Sequence, residues 1–325
     1  MKEDKKEQKQ KDTNPSKKTA AKKKGGSQTS SFGTPTRESH DSTAFYASNL
    51  YSGVRNKPAN GKAQPLPDEL VNTLHCRDAA DLSFIPDNCV HLMVTSPPYN
   101  VGKEYDGDMT LEDYLTMLKK VFSEVYRVLV PGGRAVVNVA NLGRKPYLPL
   151  SHMVTRLMLE IGYLMRGEII WNKAASAGSS CAWGSFKSAS DPTLRDVHEY
   201  LLVFCKGGYK LPRSEEEKLA ARKDTILKDD FVAWTKSIWD FKTESAKRVG
   251  HPAPFPVELP RRCIHMYSFS GDVVLDPFVG SGTTAVAAAE SSRRYIGVDV
   301  SEKYVELARR RVDKVHLSVT SLFDV

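Results

Sequence analysis

Two short segments carry residues whose types and spacing can do chemistry. In Thr95-Ser96-Pro97-Pro98-Tyr99-Asn100, hydroxyls precede two consecutive prolines and an aromatic ring follows them. The prolines fix φ and hold the turn rigid, so the groups beside them have settled positions. In Asp276-Pro277-Phe278-Val279-Gly280-Ser281-Gly282-Thr283-Thr284, glycines let the backbone turn tightly and come close to a ligand. A helix starting near Thr283 points free N–H groups at whatever lies above that turn. Further on, Gly297-Val298-Asp299 ends an apolar run. A carboxylate there can accept hydrogen bonds from two ribose hydroxyls. The second segment therefore reads as an adenosine-binding half-sheet.

Other readings compete. A P-loop lacks its phosphate-binding lysine here. Gly280-x-Gly282-x-x-Ala285 fits a degenerate dinucleotide fingerprint, a weak match alone. A purely structural strand–helix turn would use the same glycines, and Pro-Pro-Tyr alone is also a common surface turn.

The elements that must position these residues alternate strand and helix. Val90–Thr95 reads as a short strand, 111–129 as a helix capped by Thr110 and stopped by Pro131-Gly132-Gly133, and Arg134–Ala140 as a buried strand. A helix over 149–161 and strands at Leu164–Trp171 and Glu199–Cys205 follow, the two strands joined by a loop of small residues, Ala174–Asp191. Residues 209–248 are charged and aperiodic. Strand Val273–Asp276, helix 283–291, strand Arg294–Asp299 and helix 301–313 close the pattern. The fold class is α/β, a sheet with helices on its faces. Few residues follow Asp299, so the nucleotide-binding sheet must take its remaining strands from upstream and is circularly permuted. The third strand is expected at Val71–Asp78, which would bring Asp78 to the ligand edge beside the adenine.

The charge is unevenly placed. The 325 residues carry a formal net charge of +8. Ten lysines against four acidic residues in 1–24 give that segment +6. Residues 1–65 are expected to be a disordered Lys-rich tail and 66–325 the folded domain. The basic balance favours nucleic acid as partner, but most of it lies outside the body. Apolar runs long enough for a membrane span, a secretory leader and Cys-x-x-Cys pairs are all lacking, so we expect a cytoplasmic, nucleoid-associated protein without a metal site.

Together the two turns resemble the amino-methylating DNA methyltransferases. Thr95–Tyr99 is similar to their catalytic tetrapeptide, and Asp276–Thr284 to their S-adenosylmethionine (SAM) loop. The catalytic turn comes first, the order of the β class. The resemblance covers about 68–315, with blocks at Pro131-Gly132-Gly133, Trp171-Asn172-Lys173, His198-Glu199-Tyr200 and His251–Pro256. It implies a circularly permuted Rossmann-like SAM-dependent methyltransferase sheet, with 209–248 as an inserted target-recognition region. It implies double-stranded DNA as partner, and either a restriction–modification system with a cognate restriction endonuclease or an orphan methylase. The catalytic residues would be Ser96, Pro97, Pro98 and Tyr99. SAM would be held by Asp78, Pro254, Phe255, Asp276, Phe278, Gly280, Ser281, Gly282, Thr283 and Asp299.

The chemistry is consistent with that implication. An exocyclic base amine is a poor nucleophile because its lone pair is delocalised into the ring. Fixed acceptors such as Ser96 Oγ and the Pro97 carbonyl can draw it towards tetrahedral geometry. Tyr99 would stack on a base flipped from the duplex. Relatives acting on cytosine N4 usually carry serine where Ser96 stands, and those acting on adenine N6 usually carry Asp or Asn. The expected reaction is therefore N4 methylation of cytosine. Adenine N6 methylation and a catalytically idle nucleic-acid-binding module are the alternatives, with a nicotinamide-dependent oxidoreductase more remote. Carbon-5 methylation is disfavoured because no Pro-Cys dipeptide occurs.

Overall fold

The structure, a computed structural model, describes residues 47–51, 59, 61–99, 109–173, 184–213, 222–244 and 255–320. The chain divides into two units, Met1–Arg55 and Asn56–Val325. Of the first, one 3-10 turn at Asn49–Tyr51 is described. Most of the segment expected as a tail, 1–65, lies outside the described residues.

The second unit runs β1 (Thr73–Cys76), β2 (Val90–Thr95), α1 (Leu111–Val128), β3 (Leu129–Val139), β4 (Leu142–Gly143), β5 (Tyr147–Leu148), α2 (Leu150–Ile161), β6 (Tyr163–Asn172) and β7 (His198–Lys206). It continues with α3 (Lys228–Trp234), β8 (Ile238–Asp240), α4 (Glu258–Tyr267), β9 (Val273–Asp276), α5 (Thr283–Glu290), β10 (Arg294–Asp299) and α6 (Glu302–Thr320). Eight strands form one sheet in the order β1-β10-β9-β2-β3-β7-β6-β8. Only β7 runs against the others in it. The chain-late strands β9 and β10 sit between β1 and β2, which is the circular permutation expected from the motif order.

Local chemistry accounts for the main elements. All four residues of β9 are buried, as a parallel strand covered on both faces requires. At the start of α1, Thr110 Oγ1 accepts from the Asp113 N–H at 3.1 Å, and the helix turns Tyr114, Leu118, Val121, Phe122, Val125 and Val128 inwards. That stripe meets α2 and the Leu66–Ile85 segment in one core. The other face of the sheet packs α4, α5 and α6 with Trp171 and Trp239 in a second core.

Three expectations need correction. Pro131-Gly132-Gly133 does not follow the helix as a stop; it lies inside β3, which begins at Leu129 opposite Val90. Gly132 has φ +79, and a Cβ there would meet the Lys210 carbonyl oxygen at 1.9 Å, so the glycine serves close backbone approach. Residues 209–248 are not structureless, since α3 and β8 fall within them and Trp239 is fully buried. Of the basic residues there that could reach DNA, Arg222 is committed to the buried Asp272 at 2.6 Å. Finally, the last helix extends to Thr320. The first ten residues of the Ala174–Asp191 loop lie outside the described residues.

Candidate active site

Parallel strands deliver their carboxyl ends to one edge of the sheet, where ligands of open α/β folds bind. Cys76, Thr95, Val139, Asp276 and Asp299 all end strands at that edge. Because β7 is reversed, its first residues, His198 and Glu199, reach the same edge, opposite Asn172 and Trp171 of β6.

A cavity of about 250 Å³ opens there, and it joins the two sequence motifs. Asp78, Ser96, Pro97, Pro98, Tyr99, Phe278, Gly280 and Asp299 all line it. Residues not singled out in the sequence complete the wall: Arg77, Met109, Met117, Val300 and Tyr304 among them. Met109 and Met117 belong to or precede α1, whose apolar stripe accounts for them without any ligand, so spacing alone carries no signal for this use. Val300, 71% exposed, follows Asp299 directly, and a large exposed apolar side chain beside a candidate ribose acceptor is a signal the sequence does hold.

Asp299 is fixed for its place. Its carboxylate accepts from the Gly280 N–H at 2.9 Å and from the Ser301 N–H at 2.9 Å, which ties the glycine turn to the end of β10. Burial pushes its pKa up while these two bonds pull it down. Asp78 Oδ1 accepts from the Ala80 N–H at 2.9 Å. Two carboxylates and the apolar Phe278 and Tyr304 thus face one cavity. That donor set fits an adenosine, whose ribose hydroxyls donate and whose ring is apolar on its faces.

Other expected ligands do not line the cavity. Asp276 is buried behind it, accepting from Thr95 Oγ1 at 2.6 Å and from the Phe278 N–H at 3.1 Å. It therefore joins the two motif-bearing strands directly. Ser281 and Thr283 face α6, where Arg311 donates to the Ser281 carbonyl at 2.6 Å and to Thr283 Oγ1 at 3.1 Å. Gly282 has φ +81, and a Cβ there would sit 2.7 Å from Ala308 Cβ, so this glycine lets α5 meet α6. Phe255 packs against the second core, and Pro254 lies outside the described residues.

Burial raises the Asp276 pKa to about 6, against hydrogen bonds from Thr95, Thr284 and Phe278 that lower it. An unfolded aspartate titrates near 4, so between about pH 4 and 6 the folded state binds more protons. The stabilisation is full below that window and is lost as pH rises through it. Asp276→Asn is expected to abolish this slope, about 2 kcal/mol, in urea unfolding followed from about pH 4 to 7. Identical slopes in both proteins would contradict the assignment.

The diproline turn is anchored from behind. The Tyr99 hydroxyl accepts from the Ala140 N–H at 3.2 Å and lies 3.3 Å from Ser96 Oγ. Burial holds its pKa well above the usual range, and the negative charge of Glu199 adds to this. Glu199 itself accepts from Asn138 Nδ2 at 2.6 Å and pairs with Lys173 at 2.6 Å. Among the described residues, no group of three or more His, Cys, Asp or Glu could hold a metal ion, and no helix is long and apolar enough to cross a membrane.

A permuted α/β sheet with an adenosine-type cavity, walled on one side by a Ser-Pro-Pro-Tyr turn, defines a SAM-dependent methyltransferase. Comparison with known proteins agrees. Residues 90–310 match the N6_N4_Mtase family, described as DNA methylase. The Type II methyltransferase M.MthZI of Methanothermobacter thermautotrophicus is 31% identical over 274 residues, covering 75% of this chain and 77% of the relative. The DNA adenine methyltransferase YhdJ of Escherichia coli is 28% identical over 272 residues, covering 79% and 88%. A DNA modification methylase of Thermus thermophilus, TTHA0409, solved in complex with SAM, is 33% identical with a TM-score of 0.60, covering 74% of this chain and 95% of its own. The chain belongs to the N6/N4 DNA methylase family, and its cofactor is SAM.

Proposed function

We propose that this protein transfers the methyl group of SAM to the exocyclic N4 amine of a cytosine flipped out of duplex DNA. The observation that carries the reading is Ser96 at the head of the diproline turn, on the cavity that Asp299 and Asp78 share. Bound SAM supplies an electrophilic methyl group. Asp299 accepts its ribose hydroxyls and Asp78 faces its adenine. Phe278 and Gly280 wall the site. Asp276, Ser281, Gly282 and Thr283 hold the turn from beneath.

Ser96 Oγ and the Pro97 carbonyl accept the amine N–H groups and free the nitrogen lone pair for attack. Pro98 keeps the turn rigid and Tyr99 stacks on the base. The amine becomes cationic on methylation and is then acidic, so a hydroxyl suffices to receive its proton. Target recognition is assigned to residues 209–248, with a contribution from the Ala174–Asp191 loop. Residues 1–65 act as a separate basic tail that tethers DNA without reading it. The Type II designation of M.MthZI supports a place in a restriction–modification system with a cognate endonuclease.

Adenine N6 is the second reading, favoured by the likeness to YhdJ. Incubation with methyl-labelled SAM and mixed-sequence duplex DNA, followed by digestion to nucleosides, separates the two. Label in N4-methylcytosine is expected. Label in N6-methyladenine would replace the main reading with the second.

A further inference from the structure

The sheet register places one more polar side chain at the reacting centre. Strands β2 and β3 pair Val94 with Val136 and Thr95 with Val137. One step past the last paired residues, the same register would set Ser96, just beyond the end of β2, beside Asn138. By strand alternation Asn138 shares the face of Val136 in the second core, and the same alternation carried past the end of β2 puts Ser96 on the face of Val94, of that core too. Glu199 and Lys173 lie on that face too, each two residues from a member of the same core, Leu201 and Trp171.

Asn138 is 2% exposed and only half satisfied. Its Nδ2 donates to Glu199 Oε2 at 2.6 Å, and Lys173 holds the other carboxylate oxygen at 2.6 Å. A carboxylate can only accept, so Glu199 fixes which end of the amide faces it. The other end, Asn138 Oδ1, is left as a buried acceptor with no hydrogen-bond partner among the described residues. Buried acceptors are rarely left so, and the exception asks for a donor. The hydroxyl nearest by register is that of Ser96, whose side-chain hydrogen bond among the described residues is the long approach to Tyr99 at 3.3 Å.

We propose that Asn138 is a positioning residue for Ser96. With the target base in place, the Ser96 side chain swings so that its hydroxyl donates to Asn138 Oδ1 and presents its lone pairs to the target amine. Glu199 and Lys173 set the amide in the one orientation that allows this. The inference rests on the role given above to Ser96, and it holds for either base.

The test uses the full chain, SAM and duplex DNA, with kcat, the KM for DNA and the Kd for SAM measured separately. Asn138→Ala is expected to lower kcat about tenfold or more, with KM and Kd changed by less than about twofold. Asn138→Asp sets two carboxylates against each other and is expected to be impaired as well. Adding Glu199→Gln to it restores a donor facing an acceptor, with roles exchanged, and leaves one carboxylate oxygen free for Ser96. This double variant is expected to recover kcat to within about threefold of the parent.

A kcat for Asn138→Ala within about twofold of the parent overturns the proposal. Should that variant fail to fold, the double variant decides: folded with recovered turnover supports the role, and folded without it refutes the role. Ser96→Ala runs beside them. If Ser96→Ala keeps full turnover, the site reading itself fails. If it is inactive while Asn138→Ala is fully active, only the present inference fails.

Discussion

Ser96→Ala is expected to lower kcat by about 100-fold while the Kd for SAM stays within about twofold. The reason is geometric. Ser96 lines the cavity, and among the described residues its side-chain hydrogen-bond partner is Tyr99. On the proposed reading alanine removes an acceptor for the base amine, and a preorganised polar group of that kind typically contributes two to three powers of ten. Tyr99 keeps its bond to the Ala140 N–H, so the turn holds its shape. Single-turnover methyl transfer and equilibrium SAM binding separate the two effects. Full turnover would remove Ser96 from the chemistry.

The second large effect falls on the cofactor. Asp299→Ala is expected to weaken SAM binding by about 100-fold, with kcat at saturating SAM lowered far less. Two losses combine. The ribose hydroxyls lose a charged acceptor, and the Gly280 and Ser301 N–H groups lose the oxygens that align the turn with the end of β10. Asp299→Asn keeps an acceptor oxygen and is expected to lie between parent and alanine variant. Calorimetric titration with SAM reads this directly. An unchanged Kd in the alanine variant would show that the cofactor sits elsewhere.

The parts of this site that were legible in the sequence are those encoded within a few residues. β2 and β10 are mostly apolar runs that end beside or at expected site residues, Ser96 and Asp299, so strand ends and candidate site coincide. The order of the two turns sufficed for the permutation, and Asp78 reaches the cavity from just past β1, which ends at Cys76 rather than carrying Asp78 itself. What sequence spacing could not show depends on pairing. Asn138, Lys173 and Glu199 lie far apart along the chain and meet only because β3, β7 and β6 are neighbours in the sheet. Pro131-Gly132-Gly133 has the composition of a stop, yet Leu129 pairs with Val90 and the strand runs through it. β8 is three residues long and exists because it pairs with Ile170–Asn172 and buries Trp239. Asp276 shows the opposite error. A strand-ending carboxylate beside a glycine turn reads as a ligand, while its neighbours, Thr95 and the Phe278 N–H, engage it as a tie between strands.

The central claim is that one cavity brings SAM and a cytosine amine together at Ser96. It is tested most directly by expressing the protein and its Ser96→Ala variant in a bacterial host free of DNA methylation and analysing the host DNA as nucleosides by mass spectrometry. The expected result is N4-methylcytosine with the parent protein and none with the variant. N6-methyladenine in its place, or N4-methylcytosine undiminished by Ser96→Ala, would contradict it.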